Sequence, residues 1–136
     1  MSSISAIAVS GLKAATRRLE VSASNVANQQ STGALPTANG AVPAGAPQAY
    51  TPLQVTQTAV PGSGTQTSVT PTTPGTIAIA DPQAPFADES GMVAAPNVDL
   101  AQELIGQMVA KYSYTANLAT LKADRDMTKA LLDTTA

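Results

Sequence analysis

Two stretches of the chain repeat their apolar residues with a helical period, one at each end. From Ser3 to about residue 28, Ile4, Ala8, Leu12, Ala15, Leu19 and Val26 fall within an arc of roughly 80° when successive residues are set about 100° apart. Lys13, Arg17, Glu20 and Ser24 lie across from that stripe. Ser2, Ser3 and Ser5 are each suited to cap the start, because a serine oxygen accepts a hydrogen bond from the free amides of the first turn. Ile7 and Val21 fall outside the stripe, which predicts a helix that meets more than one neighbour. At roughly 1.5 Å per residue it would be about 39 Å long.

The second helical pattern opens at "PNVDLAQELIGQM". Pro96 closes the preceding loop, Asn97 or Asp99 caps the helix, and Asp99 with Gln102 makes a pair of the capping-box kind. Leu100, Leu104, Met108, Thr115 and Leu118 form its stripe, flanked by Ala101, Tyr112 and Ala119. The pattern predicts a helix as far as Asp133, roughly 52 Å long. Past Leu121 it frays: Lys122, Asp126 and Lys129 enter the stripe while Leu121, Leu131 and Leu132 leave it. A lone two-helix hairpin has no need of apolar residues on so many sides, whereas a helix surrounded by other helices does.

Between these ends the period is lost. Eight of the ten prolines lie from Pro36 to Pro82, and "PTANGAVPAGAP" reads as a loop or an ordered arm. Leu53 and Val55 alternate, "PGSG" signals a turn before "TQTSVT", and "TIAIADP" alternates again through Ile77 and Ile79. Two to four short, Thr-rich, half-exposed strands are expected. The rival reading of this middle is a low-complexity linker. Its β-branched content and its lack of charge argue for order, since an uncharged surface suits protein better than water. The chain therefore divides into residues 1–28, 29–96 and 97–136. The fold class is α with a small β element, in which long terminal helices pair as a coiled-coil-like hairpin around a Pro/Gly-rich arm and short strands.

Composition sharpens the picture. With 136 residues but one Phe, three Tyr and no Trp, the chain has little from which to build a core of its own, so stability is expected to come partly from neighbours. Charge is uneven. No charged residue occurs from Val21 to Ala80, the first segment is basic through Lys13, Arg17 and Arg18, and the last is acidic. Ion pairs between those two segments are one expectation, and a plain solvated face is the other.

The chemistry on offer is narrow. There is no cysteine for a disulfide, thiol nucleophile or thiolate site, and no histidine for general-base or metal work. No basic tract with aromatic platforms suits nucleic acid, and no apolar run approaches membrane-spanning length. No cofactor, metal or small-molecule substrate is expected. The start, "MSSISAIAVSGLKAA", lacks the features of a cleaved signal peptide. Asp81, Asp88, Glu89 and Asp99 are the carboxylates from which a hydrolytic or metal site would have to be made. They sit in a Pro-rich loop without supporting polar residues, and turn residues are the plainer reading.

Two motifs carry a resemblance. "SNVAN" (Ser24, Asn25, Val26, Ala27, Asn28), followed by Ser31, Thr32 and Gly33, resembles the Ser-Asn-Ile-Ala-Asn-x-x-Thr signature of the bacterial flagellar rod and hook axial protein family. Here Ser31 holds the signature's last position and Thr32 follows one residue later. The C-terminal helix resembles that family's in its Asn97-Val98 opening and its Tyr-x-Ala-Asn element, Tyr114, Ala116 and Asn117. The short length and "DPQAPFADESGMVAAPNV" look most like the proximal rod members.

That resemblance implies a structural subunit of the flagellar basal-body rod, stacking helically through its terminal helices and carrying torque from motor to hook. It implies copies of itself and other rod proteins as partners, with the rod-base adaptor, the MS ring and the flagellar export apparatus. It also implies export without a cleaved leader to a periplasm-spanning shaft. Ile4, Ala8, Leu12, Ala15, Leu19, Val26, Leu100, Leu104, Met108, Tyr112, Leu118 and Leu121 are the expected subunit contacts. Asn25 and Asn28 are expected to hydrogen-bond backbone where the first helix gives way to extended chain. The alternative from another class is a free-standing helical adaptor or secretion chaperone, with folded termini and a self-contained core.

Overall fold

The computed structural model describes residues 3–37 and 39–135. Helix α1 (Ser3–Ala27) is followed by strands β1 (Leu53–Val60), β2 (Gly64–Pro71), β3 (Thr76–Ala80) and β4 (Met92–Pro96), and then by helix α2 (Leu100–Thr135). The molecule is mostly helical with two small antiparallel sheets, β1–β2 and β3–β4. Ser2, one of the three candidate caps, lies outside the described residues, while Ser3 and Ser5 fall within the helix.

Both turns follow from local chemistry. In the first hairpin Val60 pairs with Gly64, leaving Pro61, Gly62 and Ser63 to reverse the chain. Pro61 supplies the fixed φ of a type II turn's second residue, and Gly62 takes φ +72 at the third. The amide of Ser63 closes the turn on the Val60 carbonyl at 3.0 Å. At α2 the cap is Asp99. Its Oδ1 accepts from the amides of Ala101 (2.9 Å) and Gln102 (3.1 Å), satisfying two amides that no helical carbonyl reaches. Asn97 does a different job and donates from Nδ2 to the Pro74 carbonyl at 3.0 Å.

Helix α1 is the middle layer, with the β1–β2 hairpin on one side and α2 on the other. The helices run antiparallel in a constant register. Ser5 Oγ donates to Asp124 Oδ2, Gly11 lies against Asn117, and Ser22 Oγ donates to the Glu103 carbonyl at 3.2 Å. A Cβ at Gly11 would collide with the end of the Asn117 side chain, which packs directly over the bare glycine backbone.

Besides Pro52 and Pro96, the buried apolar residues of the described chain are alanines and two valines: Ala8, Ala14, Ala15, Val21, Ala34, Ala49, Val93, Ala94, Ala95 and Ala110. The two largest fully buried side chains are Val93 and Asn25. On the α2 side the seam is formed by Glu103, Gln107, Ala110, Ser113, Asn117, Leu121 and Asp124, all buried or half-buried. Apart from Leu121, this inner face is polar or small at every turn. The ion pairs drawn between the basic first segment and the acidic last one are not how Arg17 and Arg18 are used. Arg17 pairs with Glu20 of its own helix at 3.1 Å, and Arg18 donates to Gln57 Oε1 on β1 at 2.6 Å.

Candidate functional site

Two features stand out: a saturated polar junction where α1 ends, and an apolar face on the outside of α2. At the junction Asn25 is 2% exposed, yet every hydrogen-bonding position of its amide is used. Nδ2 donates to the Leu53 carbonyl at 2.8 Å and to Glu103 Oε1 at 2.6 Å. Oδ1 accepts from the Tyr50 hydroxyl and from the Leu53 amide, each at 3.0 Å. One side chain thus ties α1 to the start of β1, to the strap before it and to the first turn of α2.

The rest of the motif supports it. Ser24 Oγ and the Tyr50 hydroxyl share a hydrogen bond of 3.1 Å. Asn28 Nδ2 returns to the Ser24 carbonyl at 2.9 Å, which also accepts the Asn28 amide at 3.1 Å, so one residue closes the helix end twice over. Ser31 Oγ donates to Asn28 Oδ1 at 3.4 Å, and the Ser31 carbonyl receives the Tyr50 amide at 3.0 Å. Gly33 then pairs with Ala94 through two 2.9 Å backbone bonds, at a place where a Cβ would overlap the backbone at Ala49. From Ala34 to Pro47 the Pro/Gly-rich segment goes out and comes back, closed at its base by the Ala34 amide on the Pro47 carbonyl at 2.9 Å.

Two of the four carboxylates considered for chemistry, Asp88 and Asp99, are engaged in local structure. Asp88 Oδ1 accepts from the amides of Ser90 and Met92, both at 2.8 Å, and Asp99 caps α2. Among the described residues no cluster of acids or other ligands is arranged to hold a metal, and no helix is long and apolar enough to cross a membrane.

Outside α2 the distribution reverses. Leu104, Ile105, Met108, Val109 and Tyr112 are 50, 61, 57, 48 and 69% exposed. Leu100 and Leu118 are exposed as well, as are Tyr114 on the C-terminal motif and Ile4 and Leu19 on α1, while Leu12, Val26 and Leu121 are half-buried. Ala8, Ala15 and Leu121 differ from the rest of the expected contacts, since the two alanines are buried in the chain's own α1–α2 seam and Leu121 lies half-buried along it. Of the C-terminal motif, Ala116 is exposed and Asn117 turns inward, donating to the Ser113 carbonyl at 2.8 Å. Asn97 and Val98 lie half-buried at the entry to α2, and Thr32 lies half-buried in the strap. Glu103 and Tyr50, the partners of Asn25, were not singled out as site residues. Asn25 at the end of a helix was the only signal that such partners had to exist.

This is an antiparallel helical pair of the class that closes on small and polar side chains, is joined by an Asn-centred junction, and keeps its large apolar side chains on the outside. Residues 6–34 match the family model described as "Flagella basal body rod protein", and residues 89–134 match "Flagellar basal body rod FlgEFG protein C-terminal". Among similar proteins are three called flagellar basal-body rod protein FlgC. That of Salmonella typhimurium is 35% identical over 126 residues, covering 89% of this chain and 87% of its own. That of Escherichia coli O6:H1 is 33% identical with the same coverage, and that of Agrobacterium fabrum is 31% identical, covering 98% and 94%. The chain belongs to the FlgC family of flagellar basal-body rod proteins, and it is a structural component of the rod.

Proposed function

We propose that the chain polymerises helically through its terminal helices, pairing there as a coiled-coil-like hairpin, and so transmits torque from motor to hook. The observation that carries this is the outer face of α2. Burying a large apolar side chain contributes about 1.5–3 kcal/mol, so five residues left about half exposed hold back on the order of 5 kcal/mol. That approaches the whole stability of a small domain. A monomer gains nothing from leaving it unused, whereas a subunit that buries it against neighbours does.

The partners on this reading are further copies and other rod proteins, with the rod-base adaptor, the MS ring and the export apparatus at the inner end. The contacts are Ile4, Leu12, Leu19, Val26, Leu100, Leu104, Met108, Tyr112, Leu118 and Leu121. Ala8 and Ala15 act one step removed, by letting the two helices close up. The uncharged loop within residues 29–50 lies along a neighbouring subunit. The rod spans the periplasm, and its subunits pass the export apparatus without a cleaved leader. A core built from alanine and valine suits a chain that must be threaded unfolded and refold on arrival.

Substituting Ile105→Lys together with Met108→Glu tests the reading. The purified variant should keep its helix content and unfolding midpoint, while cells carrying it should lose swimming and yield basal bodies without the chain. Normal rods containing the variant would overturn it.

A further inference from the structure

We propose that Tyr112 of one copy seats in an apolar notch between α1 and α2 of a second copy, a face-to-flank contact that repeats from subunit to subunit. The proposal rests on the rod reading and names the contact within it.

The notch, about 220 Å³, is lined by Ala15, Thr16 and Leu19 of α1 and by Ala110, Lys111, Tyr114 and Thr115 of α2. Its two threonines do not make it polar. Thr16 Oγ1 donates to the Leu12 carbonyl and Thr115 Oγ1 to the Lys111 carbonyl, each at 3.0 Å, so the proton of each hydroxyl is already used within its own helix. Lys111 brings a cation to the rim, where an aromatic face is its preferred neighbour.

The matching knob is on the same chain. Tyr112, 69% exposed, stands among Ile105, Met108 and Val109 on the back of α2. It occupies the same level along the helix as the notch but, at about 100° per residue, points roughly 130° away from the residues that line it. A chain therefore cannot fill its own notch. It offers a knob on one face and a hole on another at one height, and a contact between unlike faces propagates into a ring or a helix instead of stopping at a pair. A tyrosine is also the kind of residue that anchors such contacts, with a large ring, few rotatable bonds and a polar tip able to stay at the rim.

The test places the photo-reactive analogue benzoylphenylalanine at position 112, which keeps an aromatic ring, in cells that build basal bodies. Irradiation should yield covalent species of at least twice the chain's mass, with the adduct mapping to residues 15–19 or to Ala110, Lys111, Tyr114 or Thr115 of the second copy. A reciprocal probe at Thr16 should map to residues 105–112, and it serves if the first variant is not incorporated. Tyr112→Phe should assemble normally, and Tyr112→Ala should lower incorporation at limiting expression by about tenfold or more. Adducts joining position 112 to position 112, adducts only to other proteins, or no adduct in basal bodies that contain the probe would each overturn the contact while leaving the rod reading intact. Absence of the unaltered chain from basal bodies would overturn the rod reading itself.

Discussion

The end of α1 and the outside of α2 are built on opposite rules. At the end of α1 a fully buried amide has a partner for each donor and acceptor, and nothing is left for another molecule to satisfy. Along α2 large side chains face outward while Ser113, Asn117 and Gln107 face in. The first arrangement fixes geometry: four segments must meet for all of those hydrogen bonds to form together. The second withholds burial energy from the monomer. The lesson is a separation of tasks, with polar groups giving the subunit its shape and apolar groups giving the assembly its cohesion. Each rule can be broken separately in the isolated chain.

The largest effect should come from Asn25→Ala. It strands the Leu53 amide and carbonyl in a buried place and takes a donor from Glu103. Unsatisfied buried groups cost about 1–3 kcal/mol each, so a loss of about 3 kcal/mol is expected in urea unfolding of the purified chain. Asn25→Asp keeps the shape but turns both donated bonds into oxygen facing oxygen, so it should be no milder. A loss below about 1 kcal/mol for both would mean that the junction does not organise the fold.

Next comes Gly11→Val. Added atoms meet Asn117 across the tightest point of the seam, and overpacking of this kind costs about 1–3 kcal/mol. The same change should push the helices apart, which a distance measured between spin labels on α1 and α2 would register. An unchanged distance and midpoint would show that the small residues are not what brings the helices together.

How much of this was legible in the sequence follows the same division. Both helices, the cap at Asp99 and the Pro61–Gly62 turn could be read, because period, capping and turn chemistry are local. The signature residues Asn25 and Asn28 were expected to bond backbone, and both do. What the pattern did not separate was the chain's own seam from its outer surface. The α1 stripe mixes Ala8 and Ala15, which are buried, with Ile4 and Leu19, which are not. Both sets are apolar, so residue size rather than hydrophobicity told the seam from the surface. The partners of Asn25 lie 25 to 78 residues away, and no local rule points to them. Strand β4, "MVAAP", was missed because two alanines and a proline carry little strand propensity; its place comes from pairing with β3 and from the bridge to Gly33.

A smaller effect is expected on the surface of α1. Arg17→Ala removes the Arg17–Glu20 pair, whose side chains are 51 and 56% exposed. Exposed pairs contribute about 0–1 kcal/mol, and arginine loses little helix propensity to alanine, so the unfolding midpoint should barely move. A drop larger than that would mean Arg17 has a second partner in the folded chain.

The smallest effect on the isolated chain should be at Leu118, and there the contrast is sharpest. Leu118 is 49% exposed and Ala110, two turns earlier on the same helix, is 2% exposed. Leu118→Asp places a charge in water and should stay within about 0.5 kcal/mol of the parent. Ala110→Asp places the same charge in the seam without a partner and should cost several times more. In cells the ranking should draw level. The first variant folds but presents a carboxylate where a neighbour's apolar side chains belong, and the second does not close its helices. Motility lost in both, with stability lost only in Ala110→Asp, is the outcome that ties the exposed leucine to assembly and the buried alanine to folding. Full swimming with Leu118→Asp would remove Leu118 from the contact and confine the interface to the back of α2.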